Sequence, residues 1–266
     1  MLRSLKELER YKVTATDGEI GSVVDFLLDD QHWTVRYLVV ETGSFFNERR
    51  VLITPISFRQ IDWSTKQFHV ALTKDKVKNS PNVDVDKPVS RQRERDYYGY
   101  YEYPLYWADS GLWGMSAYPG ALATARYYDK SAANAENVGD VHLRSVNEVR
   151  GYHVRGTDDA IGHIENFIVD DETWEVRYLV VDTSNWWFGR KVLIAPRWAS
   201  HVSWEERSVN VDMNRQSIRN SPEWSPTVAV NREYESRLHT HFGRAAYWDD
   251  SIRGVPVPPA QHQHPT

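Results

Sequence analysis

The chain alternates short apolar stretches with polar turns, and its strongest pattern runs from Trp33 to Thr42. In an extended strand Trp33, Val35, Tyr37 and Val39 fall on one face, and Arg36, Leu38 and Val40 on the other. Both faces are largely apolar, which predicts a strand covered on both sides or set in a small closed barrel. Around it, Tyr11–Thr14 alternates up to a turn at Asp17-Gly18. The stretch Ile20–Leu28 is rich in β-branched residues and stops at the polar turn Asp29-Asp30-Gln31-His32. Arg49–Thr54 reads as a further strand ended by Pro55, and Gln67–Leu72 as another. Thr73–Lys78 reads as one helical turn, stopped before Ser80-Pro81 because the residue preceding a proline avoids helix. Five or six short strands with tight turns predict an antiparallel all-β unit, with a barrel as the arrangement that removes its edges.

Every one of these predictions is made twice. Residues 2–110 align without a gap to residues 143–251 at a constant shift of 141 positions. Leu2-Arg3-Ser4 returns as Leu143-Arg144-Ser145, and Val35-Arg36-Tyr37-Leu38-Val39-Val40 as Val176-Arg177-Tyr178-Leu179-Val180-Val181. Tyr106-Trp107 returns as Tyr247-Trp248. A repeat of this length is a duplicated domain rather than a solenoid of short units. The boundaries read from it are a first barrel at 1–82, a polar and aromatic arm at 83–110 and a linker at 111–142. A second barrel at 143–223, a second arm at 224–251 and a flexible tail at 252–266 follow. A residue type kept in both copies most simply serves the shared fold, so differences between the copies are where separate roles are to be sought.

Composition narrows the classes. The 266 residues carry a net charge of −5, which disfavours nucleic acid or an anionic lipid surface as the main partner. With no cysteine there is no disulfide, thiolate nucleophile or Cys-ligated metal. No run approaches the length of a bilayer-spanning segment and the first residues lack the apolar core of a signal peptide, so a cytoplasmic location is expected.

The residues Asp17-Gly18-Glu19-Ile20-Gly21, Val24-Asp25-Phe26-Leu27-Leu28-Asp29, the strand from Trp33 and Arg50-Val51-Leu52-Ile53 together resemble the PRC-barrel family. That family is named for the cytoplasmic domain of the photosynthetic reaction-centre H subunit. The second copy resembles it through Asp158, Ile161-Gly162, Asp170, Val176–Val181 and Lys191–Ile194, departing at Asp159 where the first copy has Gly18. The resemblance implies an all-β fold of two small antiparallel barrels in tandem, with short helical turns and irregular aromatic arms. It also implies an interaction module with no catalytic motif to carry over.

Candidate residues follow from chemistry. Phe45 and Phe46, and Trp186, Trp187 and Phe188, lie in the loop after the central strand, where large aromatics suit a contact with the other barrel, a second copy or a partner protein. Tyr100, Tyr101, Tyr106, Trp107, Tyr247 and Trp248 belong to the arms, where they serve either to wrap a barrel or to stack on a flat ligand such as a quinone. Arg36 and Arg177, mid-strand among apolar neighbours, need acceptors; Asp25 or Glu41 are the expected partners for Arg36. Asp29-Asp30 and Asp170-Asp171 fit hairpin turns better than a cation site. The pairs His239/His241 and His262/His264 lack a third ligand, and no nucleophile or phosphate-loop motif is present, so no catalytic residue, metal or cofactor is assigned. The expectation is a non-enzymatic adaptor binding an unidentified protein or itself, with contact at the cytoplasmic face of a membrane or electron-transfer complex. The alternatives are a binder of a flat ligand and an assembly factor for a reaction-centre-like complex.

Overall fold

The computed structural model describes residues 1–43, 49–81, 89–123, 142–184 and 190–249. The first repeat forms β1 (Leu2–Ser4), β2 (Lys12–Ala15), β3 (Gly18–Asp29), β4 (Thr34–Thr42), β5 (Arg50–Ile53), β6 (Phe58–Asp62) and β7 (Gln67–Val70). The second forms β8 (Leu143–Ser145), β9 (His153–Arg155), β10 (Ala160–Asp170), β11 (Val176–Asp182), β12 (Lys191–Ile194), β13 (Ala199–Ser203) and β14 (Ser208–Val211). The helices are α1 (Leu5–Leu8), α2 (Lys74–Lys78), α3 (Arg91–Tyr101), α4 (Pro119–Leu122), α5 (Val146–Val149), α6 (Arg215–Arg219) and α7 (Arg232–His241).

Two compact units result, and their boundaries do not follow the repeats. One holds Glu7–Asn147 with Asp171–Glu175; the other holds Met1–Lys6, Glu148–Asp170 and Val176–Thr266. In the first unit the sheet runs β5-β4-β3-β2-β7-β6, and β8 adds to β3 with Leu27 opposite Ser145 and Asp29 opposite Leu143. In the second it runs β12-β11-β10-β9-β14-β13, and β1 adds to β10 with Ser4 opposite Ile168 and Leu2 opposite Asp170. Each sheet therefore takes as its seventh strand the Leu-Arg-Ser segment that opens the other repeat.

The expected all-antiparallel closed barrel is corrected in two respects. β2 pairs with β7, and β9 with β14, in parallel. Among the described residues the sheets are also open, with β5 and β6 at the two ends of one path and β12 and β13 at the ends of the other. The cause is the corner after β5 and β12. Pro55 and Pro196 each open a 3-10 turn, Pro55–Ser57 and Pro196–Trp198, in place of a hairpin. Proline has no N–H to give to a ladder, so the chain leaves the sheet there and the following hairpin joins on the far side of β2 or β9.

The two-sided apolar pattern of β4 is explained by a helix rather than by barrel closure. The arms are not irregular: α3 and α7 lie in them. Tyr97, Tyr98 and Tyr101 share one face of α3 and are buried. Tyr97 packs edge-on against Tyr37 at 5.2 Å, and its hydroxyl donates to the Leu52 carbonyl at 2.9 Å. Close approach of β3 to β4, and of β10 to β11, explains the Ile-Gly pair in both repeats. A Cβ at Gly21 would overlap the Glu41 carbonyl oxygen, and one at Gly162 the Asp182 carbonyl oxygen.

Candidate functional site

Arg36, on β4, does not pair with Asp25 or Glu41 as expected; its partner is Asp29, at the end of β3. Nε and one Nη of Arg36 reach the same Asp29 oxygen at 3.2 and 2.9 Å, and the other Nη donates to the Leu112 carbonyl at 2.6 Å. The guanidinium lies over the rings of Tyr106, 3.9 Å to the centroid, and Trp113, 4.7 Å. Asp29 also accepts from the backbone N–H groups of Gln31 and His32 at 2.8 and 3.2 Å, which is the turn that the Asp-Asp pair predicted. Burial opposes its charge, but Arg36 and His32 outweigh that and hold the carboxyl well below the usual range. Asp25 instead fastens β8: it accepts from Ser145 Oγ at 2.5 Å and from the Asn147 N–H at 3.1 Å.

Next to this pair sits a carboxylate that the sequence did not single out. Glu94, on the inward face of α3, is 1% exposed. One of its oxygens accepts from Tyr37 Oη at 3.0 Å and Tyr106 Oη at 2.9 Å. The other faces Arg91 at 3.2 Å and His142 Nε2 at 2.9 Å. Burial pushes the hydroxyls of Tyr37 and Tyr106 well up, and the Glu94 charge adds to it, so both remain proton donors.

The second unit rebuilds the same arrangement at a shift of 141 positions. Glu235 accepts from Tyr178 Oη and Tyr247 Oη, each at 2.9 Å, and pairs with Arg232 at 3.2 Å. Arg177 lies 3.9 Å over the Tyr247 ring and 3.5 Å from Asp170, as Arg36 lies over Tyr106 and against Asp29. Arg232 covers Trp248 at 3.9 Å as Arg91 covers Trp107 at 4.3 Å. Arg91, Glu94, Tyr106 and Trp107 thus recur together, and that Arg-x-x-Glu spacing ahead of Tyr-Trp was the available signal for the cluster.

The copies differ in where the imidazole comes from. In the second unit it belongs to His239 on α7, where α3 has Tyr98. Its Nδ1 is 3.0 Å from the Ala245 carbonyl and its Nε2 is 3.1 Å from Tyr178 Oη. Burial lowers its pKa below the ordinary histidine value, which favours the neutral ring. Asp30, next to Asp29 in the chain, is shifted the opposite way. Burial raises it to about 6 against its pairing with Arg144, which lies 3.1 Å away.

The family model for the PRC-barrel domain matches residues 2–77 and again 142–215. The chain belongs to the PRC-barrel domain family. PRC-barrel domains are a kind of protein-interaction module. An uncharacterised protein of Deinococcus radiodurans is similar as well, 32% identical over 74 residues, which is 28% of this chain and 26% of the relative. The chain therefore spans about a quarter of that relative's length. Both family matches end before the arm helices, so the glutamate of each cluster lies on sequence added to the PRC-barrel domain proper while its tyrosine on β4 or β11 lies within it.

Within that family frame the candidate aromatics divide. Phe45, Phe46, Trp186, Trp187 and Phe188 lie outside the described residues. The arm residues are used internally. Tyr101 and Tyr106 are buried, and the half-buried Tyr100 donates to the Lys76 carbonyl at 2.7 Å. Trp107 packs edge-on to Tyr106 at 4.7 Å, as Trp248 does to Tyr247 at 4.9 Å. Among the described residues no group of three or more His, Asp or Glu is arranged to hold a metal, and no helix is long and apolar enough to cross a membrane.

Proposed function

We propose that the chain is a non-enzymatic adaptor made of two PRC-barrel domains produced by duplication, each sealed by its own arm helix. The observation that carries this reading is the duplicated cluster. Both copies use the chemically capable groups, Glu, Tyr, Arg and Asp, to satisfy one another around equivalent atoms, which is what a structural clasp kept through duplication would do. The arm residues Tyr97, Tyr100, Tyr106 and Tyr247 spend their hydroxyls on acceptors within the fold, so the flat-ligand reading gains no observation from them.

The surface of the first unit offers a contact. Met115 and Tyr118, 76% and 50% exposed, lie in the segment after Trp113, which is itself buried and donates to the Thr173 carbonyl at 2.8 Å. Two large apolar side chains held outward on a segment anchored by a tryptophan suit a partner protein. The test is affinity capture from soluble and membrane fractions, comparing the parent chain with Met115→Ser/Tyr118→Ser. A stoichiometric partner lost only in the variant supports the adaptor reading, and recovery from the membrane fraction places that partner at a membrane complex. An unchanged partner set removes Met115 and Tyr118 from the contact, and recovery of the chain alone from both fractions overturns the adaptor reading.

A further inference from the structure

The two seventh strands pose a sorting problem. Leu2-Arg3-Ser4 and Leu143-Arg144-Ser145 are the same tripeptide and bind in the same register, since the Leu2–Asp170 pairing corresponds to Leu143–Asp29. Most of the contacts around them do not discriminate. Asp25 holds Ser145 and the Asn147 N–H, while Asn166 holds Ser4 Oγ at 2.7 Å and the Lys6 N–H at 3.2 Å. Each is a serine and one backbone N–H, which either opening segment supplies. Two chemically equal strands facing two equal edges would distribute between them unless something outside the tripeptide told them apart.

Two smaller differences follow the tripeptides, since Lys6 Nζ lies 3.9 Å from Glu165 while the aligned Asn147 donates to the Val24 carbonyl at 3.2 Å, and the buried difference is a histidine. The residue before Leu143 is His142, and the aligned residue before Leu2 is Met1, which is exposed. His142 is 1% exposed and gives Glu94 its imidazole; its carbonyl accepts from the Asp30 N–H at 2.9 Å. In the second unit the imidazole is already built into α7 as His239, and the incoming strand brings none. Interchanging the strands would place Met1 beside Glu94, with one donor fewer for an oxygen that now faces both Arg91 and the imidazole. It would also bring His142 to a cluster that holds His239 already. Each described carboxylate cluster holds a single histidine only in the observed arrangement.

We propose that His142, together with the Tyr98/His239 difference between α3 and α7, is the specificity determinant that assigns each Leu-Arg-Ser strand to its sheet. β3 beside Glu94 is a docking edge for an extended His-Leu-Arg-Ser segment, and β10 beside Glu235 is an edge for the same tripeptide without the histidine. His142 is a positioning residue here, acting through Glu94.

The chain has no cysteine, so disulfide trapping reads the arrangement directly. Ser4→Cys/Ile168→Cys reports β1 on its observed edge, and Ser4→Cys/Leu27→Cys reports it on the other. In the parent background only the first pair should close within a monomer. Adding His142→Met/Tyr98→His should raise closure of the second pair about 10- to 100-fold, the weight of one hydrogen bond to a buried charge. The single substitution His142→Met is the milder perturbation. It leaves α3 untouched and should raise closure in the same direction, which guards against a double variant that does not fold. His142→Gln keeps an N–H donor and should stay near the parent. Equal closure of both pairs in the parent overturns the proposal. So does an unchanged ratio in a folded His142→Met chain, or a His142→Gln chain that behaves like His142→Met.

Discussion

Truncating the two equivalent glutamates should have unequal consequences, and the structure gives the sizes. Glu94→Ala leaves the hydroxyls of Tyr37 and Tyr106, residues 0% and 2% exposed, without their acceptor, and strands the Arg91 and His142 partners, with side chains 11% and 1% exposed. Two orphaned buried hydroxyls at about 1–3 kcal/mol each, with a buried cation losing its counter-charge, lead to an expected loss of about 3–5 kcal/mol. Glu235→Ala removes a similar set of bonds on paper, but its partners have other recourse. Tyr178 can donate to His239 Nε2, already 3.1 Å away, Tyr247 is only half-buried, and the Arg232 side chain is 56% exposed. Its ion pair is screened and its loss should cost about 1–2 kcal/mol. Native-state hydrogen exchange reads the two units separately, through the amides of β4 and of β11. The expected result is a large drop in the opening free energy of β4 in Glu94→Ala and a small one for β11 in Glu235→Ala. Equal costs, or a change below about 1 kcal/mol for Glu94→Ala, would refute the argument that the first cluster is closed to solvent while the second is not.

Other substitutions test neighbouring parts of the account. Gly21→Ala and Gly162→Ala force a methyl group against a carbonyl oxygen of the adjacent strand and should each cost about 2–3 kcal/mol in denaturation, whereas Gly43→Ala, with open space around it, should be nearly neutral. Arg36→Lys keeps the charge but cannot span Asp29 and the Leu112 carbonyl while covering Tyr106, so a loss of about 2–4 kcal/mol is expected, measured by the same denaturation. The pH profiles of the units should slope in opposite directions. Asp30 holds its proton in the folded state to about 6 against 3.8 for the free group, so its contribution is full below 3.8 and lost as pH rises through 6, about 3 kcal/mol in all. His239 is depressed, so the second unit weakens as pH falls below the ordinary histidine value. Asp30→Asn should flatten the first slope and His239→Gln the second, in exchange data corrected for intrinsic rates; a slope that survives its variant belongs to another group.

Much of the architecture was legible in one dimension. The strand β4 appears where the two-sided apolar pattern ran, β3 where the β-branched run ended in Asp29-Asp30, and α2 stops ahead of Ser80-Pro81. These are local decisions, made by side-chain periodicity, turn chemistry and the steric limit before proline, so adjacent residues suffice to read them. The same holds for the family, since its motif residues recur in register in both repeats. The arm helix α3 was missed because its stripe is made of Glu94, Tyr97, Tyr98 and Tyr101 among charged residues, and such a stripe counts as apolar only once the carboxylate has its partners.

What the sequence determined by itself is the content of each repeat: two matching sets of strands, the repeated Arg, Glu and Tyr-Trp positions, and membership of the PRC-barrel family. What only the tertiary structure decided is who meets whom. Asp29 rather than Asp25 received Arg36, Glu94 became the centre of a cluster whose members are drawn from 37 to 142, and the Leu-Arg-Ser strand of one repeat completed the sheet of the other. The physical reason is that a strand edge and a buried carboxylate specify the kind of group they need and not its place along the chain. The same tripeptide pairs in the same register on either edge, and the packed neighbours differ, with His142 against Glu94 in one unit and His239 against Tyr178 in the other.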